Sequence, residues 1–162
     1  MEREIKTLAQ YLVAESVLLA VAESCTGGWV GKSLTDLPGS SRWFDRGFIT
    51  YSNLAKIQML GVNEVTLEKH GAVSEQVAIE MVNGVLANSQ ATYAVSVTGI
   101  AGPDGGTESK PVGMVCFAWA KRGGQVCAET SKFTGSRDEI RQKSVGCALR
   151  GLLTNCFNSP LI

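Results

Sequence analysis

The chain has a single histidine, His70, and no cysteine pair at the C-x-x-C spacing. A zinc site built from several histidines is thereby excluded, and so is a histidine-centred relay unless it uses this one residue. His70 precedes Gly71 at the end of a helical-looking run, where an imidazole more often meets a helix terminus than a substrate. Five cysteines (Cys25, Cys116, Cys127, Cys147, Cys156) are an odd number. That argues against a disulfide framework and for a reducing compartment, the cytoplasm. Net charge is absent too: fifteen Lys plus Arg balance fifteen Asp plus Glu. The long-range field of a dedicated nucleic-acid binder is missing. No apolar stretch approaches the roughly 18 residues that span a bilayer. The run from Lys6 to Val21 imitates a signal peptide ahead of Ala20-Val21-Ala22, but Glu15 and Ser16 interrupt it.

What is present suits one compact domain over residues 1–162. Hydrophobic residues make up 44% of the 162 and charged residues 19%, enough apolar side chain for a real core. The 18 glycines fall mostly at turns, which points to working loops. Ile5, Leu8, Ala9, Leu12 and Val13 mark one face of a first helix. Val17 to Ala22 reads as a strand buried on both faces. Trp29 to Leu37 is helical and stops at Pro38-Gly39. Phe44 to Tyr51 is a second strand, after which Ser52-Asn53 caps a short helix carrying Lys56. A helical turn over Thr66 to His70, a longer helix capped by Ser74 and a third buried strand from Tyr93 to Val97 follow. The segment from Gly99 to Pro111, with four glycines and two prolines, is too long and irregular for a plain turn. Strands Val112 to Ala120 and Gln125 to Phe133 flank the hairpin signal Lys121-Arg122-Gly123-Gly124. Ser136-x-x-Glu139 is a capping box opening a last helix of about twenty residues. The expected architecture is α/β, a three-layer α/β/α sandwich on a mixed sheet of about five strands.

Three buried strands each end in a hydroxyl followed by turn residues: Ser24, Tyr51 and Thr98. Ligands of open α/β sheets bind beyond the carboxyl ends of parallel strands, so these groups can converge on one crevice. A serine hydroxyl needs a base, and a buried lysine loses its proton readily because desolvation disfavours the ammonium. Ser24 with Lys56 is the natural pair, although Lys56 on spacing alone also fits a solvated helix lysine. The amides of Gly27 and Gly28 are expected to hold an oxyanion or ligand anion. Cys25 is the rival nucleophile but reads better as small buried filler. A phosphate loop ending in Gly31-Lys32-Ser33 fails because Thr26 stands where its first glycine belongs. The glycine loop containing Gly99, Gly102 and Gly105 is either an anion cradle or a plain connection. Arg137 and Arg141, four apart on one helix face, meet either a substrate anion or Asp138 and Glu139. Trp29, Trp43 and Trp119 read as core aromatics.

Ala22-Glu23-Ser24-Cys25-Thr26-Gly27-Gly28, Gly47 to Asn53 with Lys56 and Leu60-Gly61-Val62, Gly71-Ala72-Val73-Ser74, and Ser96 to Gly106 occur in that order. Together these blocks closely resemble the CinA C-terminal domain family over nearly the whole chain. The resemblance implies a stand-alone deamidase that hydrolyses the carboxamide of nicotinamide mononucleotide to nicotinic acid mononucleotide and ammonia, a step of pyridine nucleotide recycling into NAD. It places the nucleophile on Ser24 and the base on Lys56, with Tyr51 and Thr98 as further catalytic residues. Thr26, Gly27, Gly28, Gly99, Gly102, Gly105 and one of Arg137 or Arg141 become substrate-binding. The acidic residue that the family carries before the first of these arginines is Ser136 here. The N-terminal pyrophosphatase domain of larger members has no room in this chain. No metal or organic cofactor is expected. The expected partners are a small-molecule nucleotide and further copies of the chain in a homo-oligomer, with neither membrane nor nucleic acid. The rival reading is a non-catalytic nucleotide-binding or regulatory module associated with competence or DNA processing.

Overall fold

The computed structural model describes residues 1–157; the last five of the domain expected over 1–162 lie outside the described residues. In chain order the elements are α1 (Glu2–Ala14), β1 (Leu19–Glu23), α2 (Trp29–Thr35), a 3-10 turn (Ser40–Arg42) and β2 (Phe44–Ile49). There follow α3 (Asn53–Leu60), α4 (Glu64–His70), α5 (Glu75–Ala87), β3 (Tyr93–Gly99), β4 (Met114–Lys121), β5 (Val126–Lys132) and α6 (Arg137–Phe157). The five strands form one sheet in the order β2-β1-β3-β4-β5. β1 runs parallel to both β2 and β3, whereas β3–β4 and β4–β5 are antiparallel. The sandwich on a mixed five-stranded sheet expected from the pattern is the one observed.

Strand alternation sorts side chains by size as well as by face. Leu19, Val21, Tyr93, Val95, Val97, Val115, Phe117 and Trp119 share one core with α1, α2 and α6. On the opposite face Ala20, Ala22, Ala94, Cys116, Ala118 and Ala120 form a nearly flat alanine floor beneath α3, α4 and α5. A small-residue floor lets helices approach closely. In α5, a Cβ on Gly84 would stand 2.1 Å from the Leu60 carbonyl oxygen of α3. The large-residue face tolerates one such approach, where Gly151 of α6 meets the indole of Trp119 and Trp119 Nε1 donates to the Ala148 carbonyl at 2.9 Å.

Boundaries shift where turn chemistry intervenes. Ser16 takes a left-handed conformation (φ 54) between α1 and β1, so the strand starts at Leu19 instead of Val17 and extends to include Glu23. Asn63 accepts the Val65 N–H at 2.9 Å and starts α4 at Glu64, two residues before the expected turn. Gly113 (φ 90) donates to the Ile100 carbonyl at 2.7 Å and delays β4 to Met114. The caps read from sequence are present: Ser52 accepts from Ala55, Ser74 from Val77, and Ser136 and Glu139 exchange bonds across the first turn of α6.

An added methyl at Gly151 would stand 2.1 Å from two ring carbons of Trp119. Because Trp119 is itself held by its indole hydrogen bond, Gly151→Ala should destabilise the fold by about 1–3 kcal/mol despite alanine's better helix propensity. Urea unfolding of the two proteins checks this; an unchanged midpoint would contradict the packing described.

Candidate active site

The chain leaves β1 through α2 on the large-residue face to reach β2, and returns through α3, α4 and α5 on the alanine face to reach β3. The path therefore parts at the carboxyl end of β1, the place where doubly wound sheets open a crevice. Ser24 follows β1 there, its backbone N–H donating to the Val97 carbonyl at 2.9 Å. Thr50 N–H donates to the Glu23 carbonyl at 2.8 Å and draws the end of β2 alongside. Ser52 then caps α3 and sets the helix that carries Lys56.

Lys56 is 1% exposed and Ser24 is 8% exposed. Their Nζ and Oγ atoms stand 3.0 Å apart, and Nζ also donates to the Thr50 carbonyl at 2.8 Å. No carboxylate pairs with this amine among the described residues. Burial is the main influence on it and pushes the Lys56 pKa below the ordinary 10.5. An amine in its neutral form has a lone pair that can accept the Ser24 proton, which a solvated ammonium lacks.

Glu23 faces the other way. Its carboxylate, 1% exposed, accepts the N–H groups of Gly28 at 2.9 Å, Val30 at 3.0 Å and Gly31 at 2.8 Å. It serves as the missing cap of α2, whose own cap position, Gly28 (φ 96), has no side chain to offer. Sequence reasoning passed over this residue. The available signal was an acid at the end of a buried run, just before a helix start with Gly-Gly and no polar N-cap.

The same bonds correct the expected oxyanion role of Gly27 and Gly28. Gly27 N–H donates to the Ser24 carbonyl at 3.0 Å and Gly28 N–H to Glu23, so neither is available to a ligand. The amides of Cys25 and Thr26 have no acceptor among the described residues. The Thr26 hydroxyl is fully buried without a partner and does not line the cavity. Cys25 is 6% exposed, and burial pushes its thiol up to about 12, which suits filler and not a thiolate nucleophile. Lys32, set aside as a phosphate-loop lysine, pairs with Asp36 at 2.7 Å on the exposed side of α2.

A cavity of about 240 Å³ opens in front of Ser24, lined also by Cys25, Tyr51, Gly99, Gly102, Gly105 and Arg137. Arg137 spans it, donating through Nη1 to the Gly102 carbonyl at 2.6 Å and through Nη2 to the Tyr51 hydroxyl at 2.9 Å. Arg141, the other candidate, is directed elsewhere. It donates to the Cys25 and Thr26 carbonyls at 3.1 and 3.0 Å, lies over the Trp29 ring, and so buttresses the turn from behind. Thr98 reaches the same end of the sheet, but its hydroxyl donates to the Ala72 carbonyl at 2.8 Å and stays out of the cavity. A larger groove of about 560 Å³ lies between α1 and α2. It contains neither Ser24 nor Lys56, and its chemistry recommends it less than its size does. Among the described residues no three His, Cys, Asp or Glu side chains gather as a metal site requires, and no helix is long and apolar enough to cross a membrane.

Fold and site define an α/β/α protein with a buried serine–lysine pair at the carboxyl end of its sheet. The chain belongs to the CinA C-terminal domain family, whose model matches residues 2–156. It is 54% identical over 145 residues to the nicotinamide-nucleotide amidohydrolase PncC of Escherichia coli K12, with 90% of this chain and 88% of that protein covered. The PncC of Pseudomonas putida is 47% identical over 146 residues, covering 90% and 91%. Among solved structures, the competence/damage inducible protein CihA from Agrobacterium tumefaciens superposes with a TM-score of 0.93 at 44% identity, covering 94% of this chain and 93% of that one.

The lowered Lys56 pKa has a consequence for stability. Between the folded value and 10.5 the unfolded chain holds a proton that the folded chain does not, so this residue's contribution to stability rises with pH across that window. Below the folded value both states are protonated and the full desolvation cost is present. The stability of the wild type relative to Lys56→Met should therefore climb as pH rises from the lowered folded value toward about 10.5 in urea titrations. A flat difference would mean that the amine is not depressed.

Proposed function

We propose that the chain hydrolyses the carboxamide of nicotinamide mononucleotide, releasing nicotinic acid mononucleotide and ammonia. The observation that carries this reading is the 3.0 Å contact between Ser24 Oγ and the buried Lys56 amine, whose pKa burial lowers. The relatives named PncC supply the substrate class.

Ser24 Oγ attacks the carboxamide carbon as Lys56 takes the hydroxyl proton. The tetrahedral intermediate's negative oxygen needs N–H donors, and the amides of Cys25 and Thr26, which follow Ser24 and have no acceptor among the described residues, are the candidates. Collapse expels ammonia, which leaves with the proton held by Lys56. A water molecule then gives a proton to the neutral amine and attacks the acyl carbon, and Ser24 recovers its proton as the ester opens. Lys56 is base and acid in turn, as the two half-reactions require. Arg137 offers the cavity a fixed positive charge suited to the nucleotide phosphate. The Tyr51 ring, 60% exposed beside it, offers a face to the pyridinium. Thr98, tied to Ala72, positions the crevice wall without touching substrate. Energy from the phosphate end helps to hold the amide against Ser24.

Purified protein should release ammonia from nicotinamide mononucleotide, and Ser24→Ala and Lys56→Ala should each lower kcat/KM by about 10³-fold or more. A Ser24→Ala enzyme with an undiminished rate would remove the nucleophile, and binding without any turnover would favour the regulatory-module reading. The acid limb of the pH–rate profile should show activity falling as pH falls through the Lys56 pKa, with a midpoint below 10.5. A profile with no such limb would place the base elsewhere.

A further inference from the structure

Among the described residues, Arg137 and Asp104 are the only charged ones lining the cavity. Both terminal nitrogens of Arg137 are already donating, to Gly102 and Tyr51. The Asp104 carboxylate, in contrast, accepts no hydrogen bond and joins no ion pair among the described residues. It is not carried on a slack loop. Gly102 on one side is held by Arg137 and has no room for a side chain, since a Cβ there would stand 2.6 Å from Val112. Gly106 on the other is as tight, its Cβ position 2.8 Å from the Val112 nitrogen. Beyond it, Thr107 N–H donates to the Lys110 carbonyl at 2.8 Å, and Lys110 Nζ donates to the His70 and Val73 carbonyls. A carboxylate thus lines a small cavity with no hydrogen bond or ion pair of its own among the described residues, and shares that cavity with the guanidinium of Arg137.

We infer that Asp104 is a specificity-determining residue that selects substrates whose amide is borne on a cationic ring. The inference rests on the nucleotide-amide reading and extends it. Nicotinamide mononucleotide is positive at the ring and negative at the phosphate, and the cavity presents one carboxylate and one guanidinium. A sphere of the cavity's volume is about 8 Å across, no more than about one Debye length at physiological salt, so opposite charges facing each other across it are not fully screened. The pyridinium nitrogen is meta to the carbon bearing the amide, so a ring placed for attack by Ser24 has its charge within that range. The reduced nucleotide has the same amide, ribose and phosphate but a neutral dihydropyridine ring. Asp104 should therefore discriminate between the two ring oxidation states.

The test is calorimetric binding of oxidised and reduced nicotinamide mononucleotide to Ser24→Ala and to Ser24→Ala/Asp104→Asn, the first substitution preventing turnover. Asp104→Asn should weaken the oxidised form about tenfold and the reduced form less than twofold. As Asp104 is exposed and unbonded, both proteins should melt together, and kcat/KM of the Asp104→Asn single variant on the oxidised nucleotide should fall in parallel. Equal weakening of both ligands would assign the carboxylate to the ribose hydroxyls and overturn the inference, as would no weakening of either. If Ser24→Ala binds neither nucleotide, the nucleotide reading fails along with it, an outcome separable from the other two because the parent itself is silent.

Discussion

A lysine side chain closed off from water, with no carboxylate to hold its proton, is the constraint on which the rest of the structure depends. Lys56 is among the largest fully buried side chains of the described residues, in company with Trp43, Trp119 and Tyr93. Burying an ammonium without a counter-ion is costly enough that such groups shift their pKa and lose the proton. Here the amine nitrogen has two neutral partners, a hydroxyl and a backbone carbonyl. These satisfy its hydrogen-bonding needs without fixing it as a cation.

The acid next to Ser24 leaves this arrangement undisturbed only because a strand alternates. Glu23 and Ser24 are consecutive, so their side chains leave the sheet on opposite faces. Ser24 turns to the alanine face and α3. Glu23 turns to the large-residue face, where three N–H groups of the turn and α2 satisfy it. Burial and Cys25, not Glu23, are the influences on Lys56. A one-residue slip of β1 would bring the carboxylate to the amine and favour the ammonium, removing the base. Register is strongly specified because Leu19 and Val21 pack on one face and Ala20 and Ala22 on the other. Core packing therefore keeps the carboxylate away from the amine and leaves burial as the main influence on it.

The hydroxyls at strand ends and the capped helix after β2 were legible because each rests on local pattern, strand length and a cap residue. The pairing of Ser24 with Lys56, 32 residues apart, followed instead from the convergence of strand ends and the lack of a placed histidine, since spacing alone also fitted a solvated lysine. The amides of Gly27 and Gly28 were misread because whether an N–H is free depends on a partner that spacing does not reveal. Ser24 O and Glu23 Oε2 take those bonds only once the turn has closed. Arg137 and Arg141 were inseparable in sequence for the opposite reason: one turn apart on a helix, they share a face. Their targets differ because the helix passes first the glycine loop and then the turn after β1. Thr98 kept its predicted place at the end of β3, yet its hydroxyl found a carbonyl in the α4–α5 connection, a long-range contact with no local signature.

In the proposed reaction these charges also bear on what kind of amide would be favoured. In that reaction a neutral base and an alcohol form no ion pair beforehand, so the first transfer would create charge: an ammonium on Lys56 and an oxyanion on the substrate. That separation is unfavourable in a dry pocket unless fixed dipoles or charges already point the right way. For an ordinary aliphatic amide the turn's N–H groups would have to supply all of that stabilisation. A substrate whose ring is already positive brings part of it, because the cation draws electrons from the carbonyl and lies close to the oxygen that becomes negative. A weakly basic leaving group would ease the second step, but a carboxamide offers only ammonia, which must take its proton as it leaves. Lys56, which the proposed first step would protonate and which stands 3.0 Å from Ser24 Oγ in the structure, is the nearest source. Burial favours its giving that proton up, so the same desolvation that makes the amine a base early makes its ammonium a good acid late.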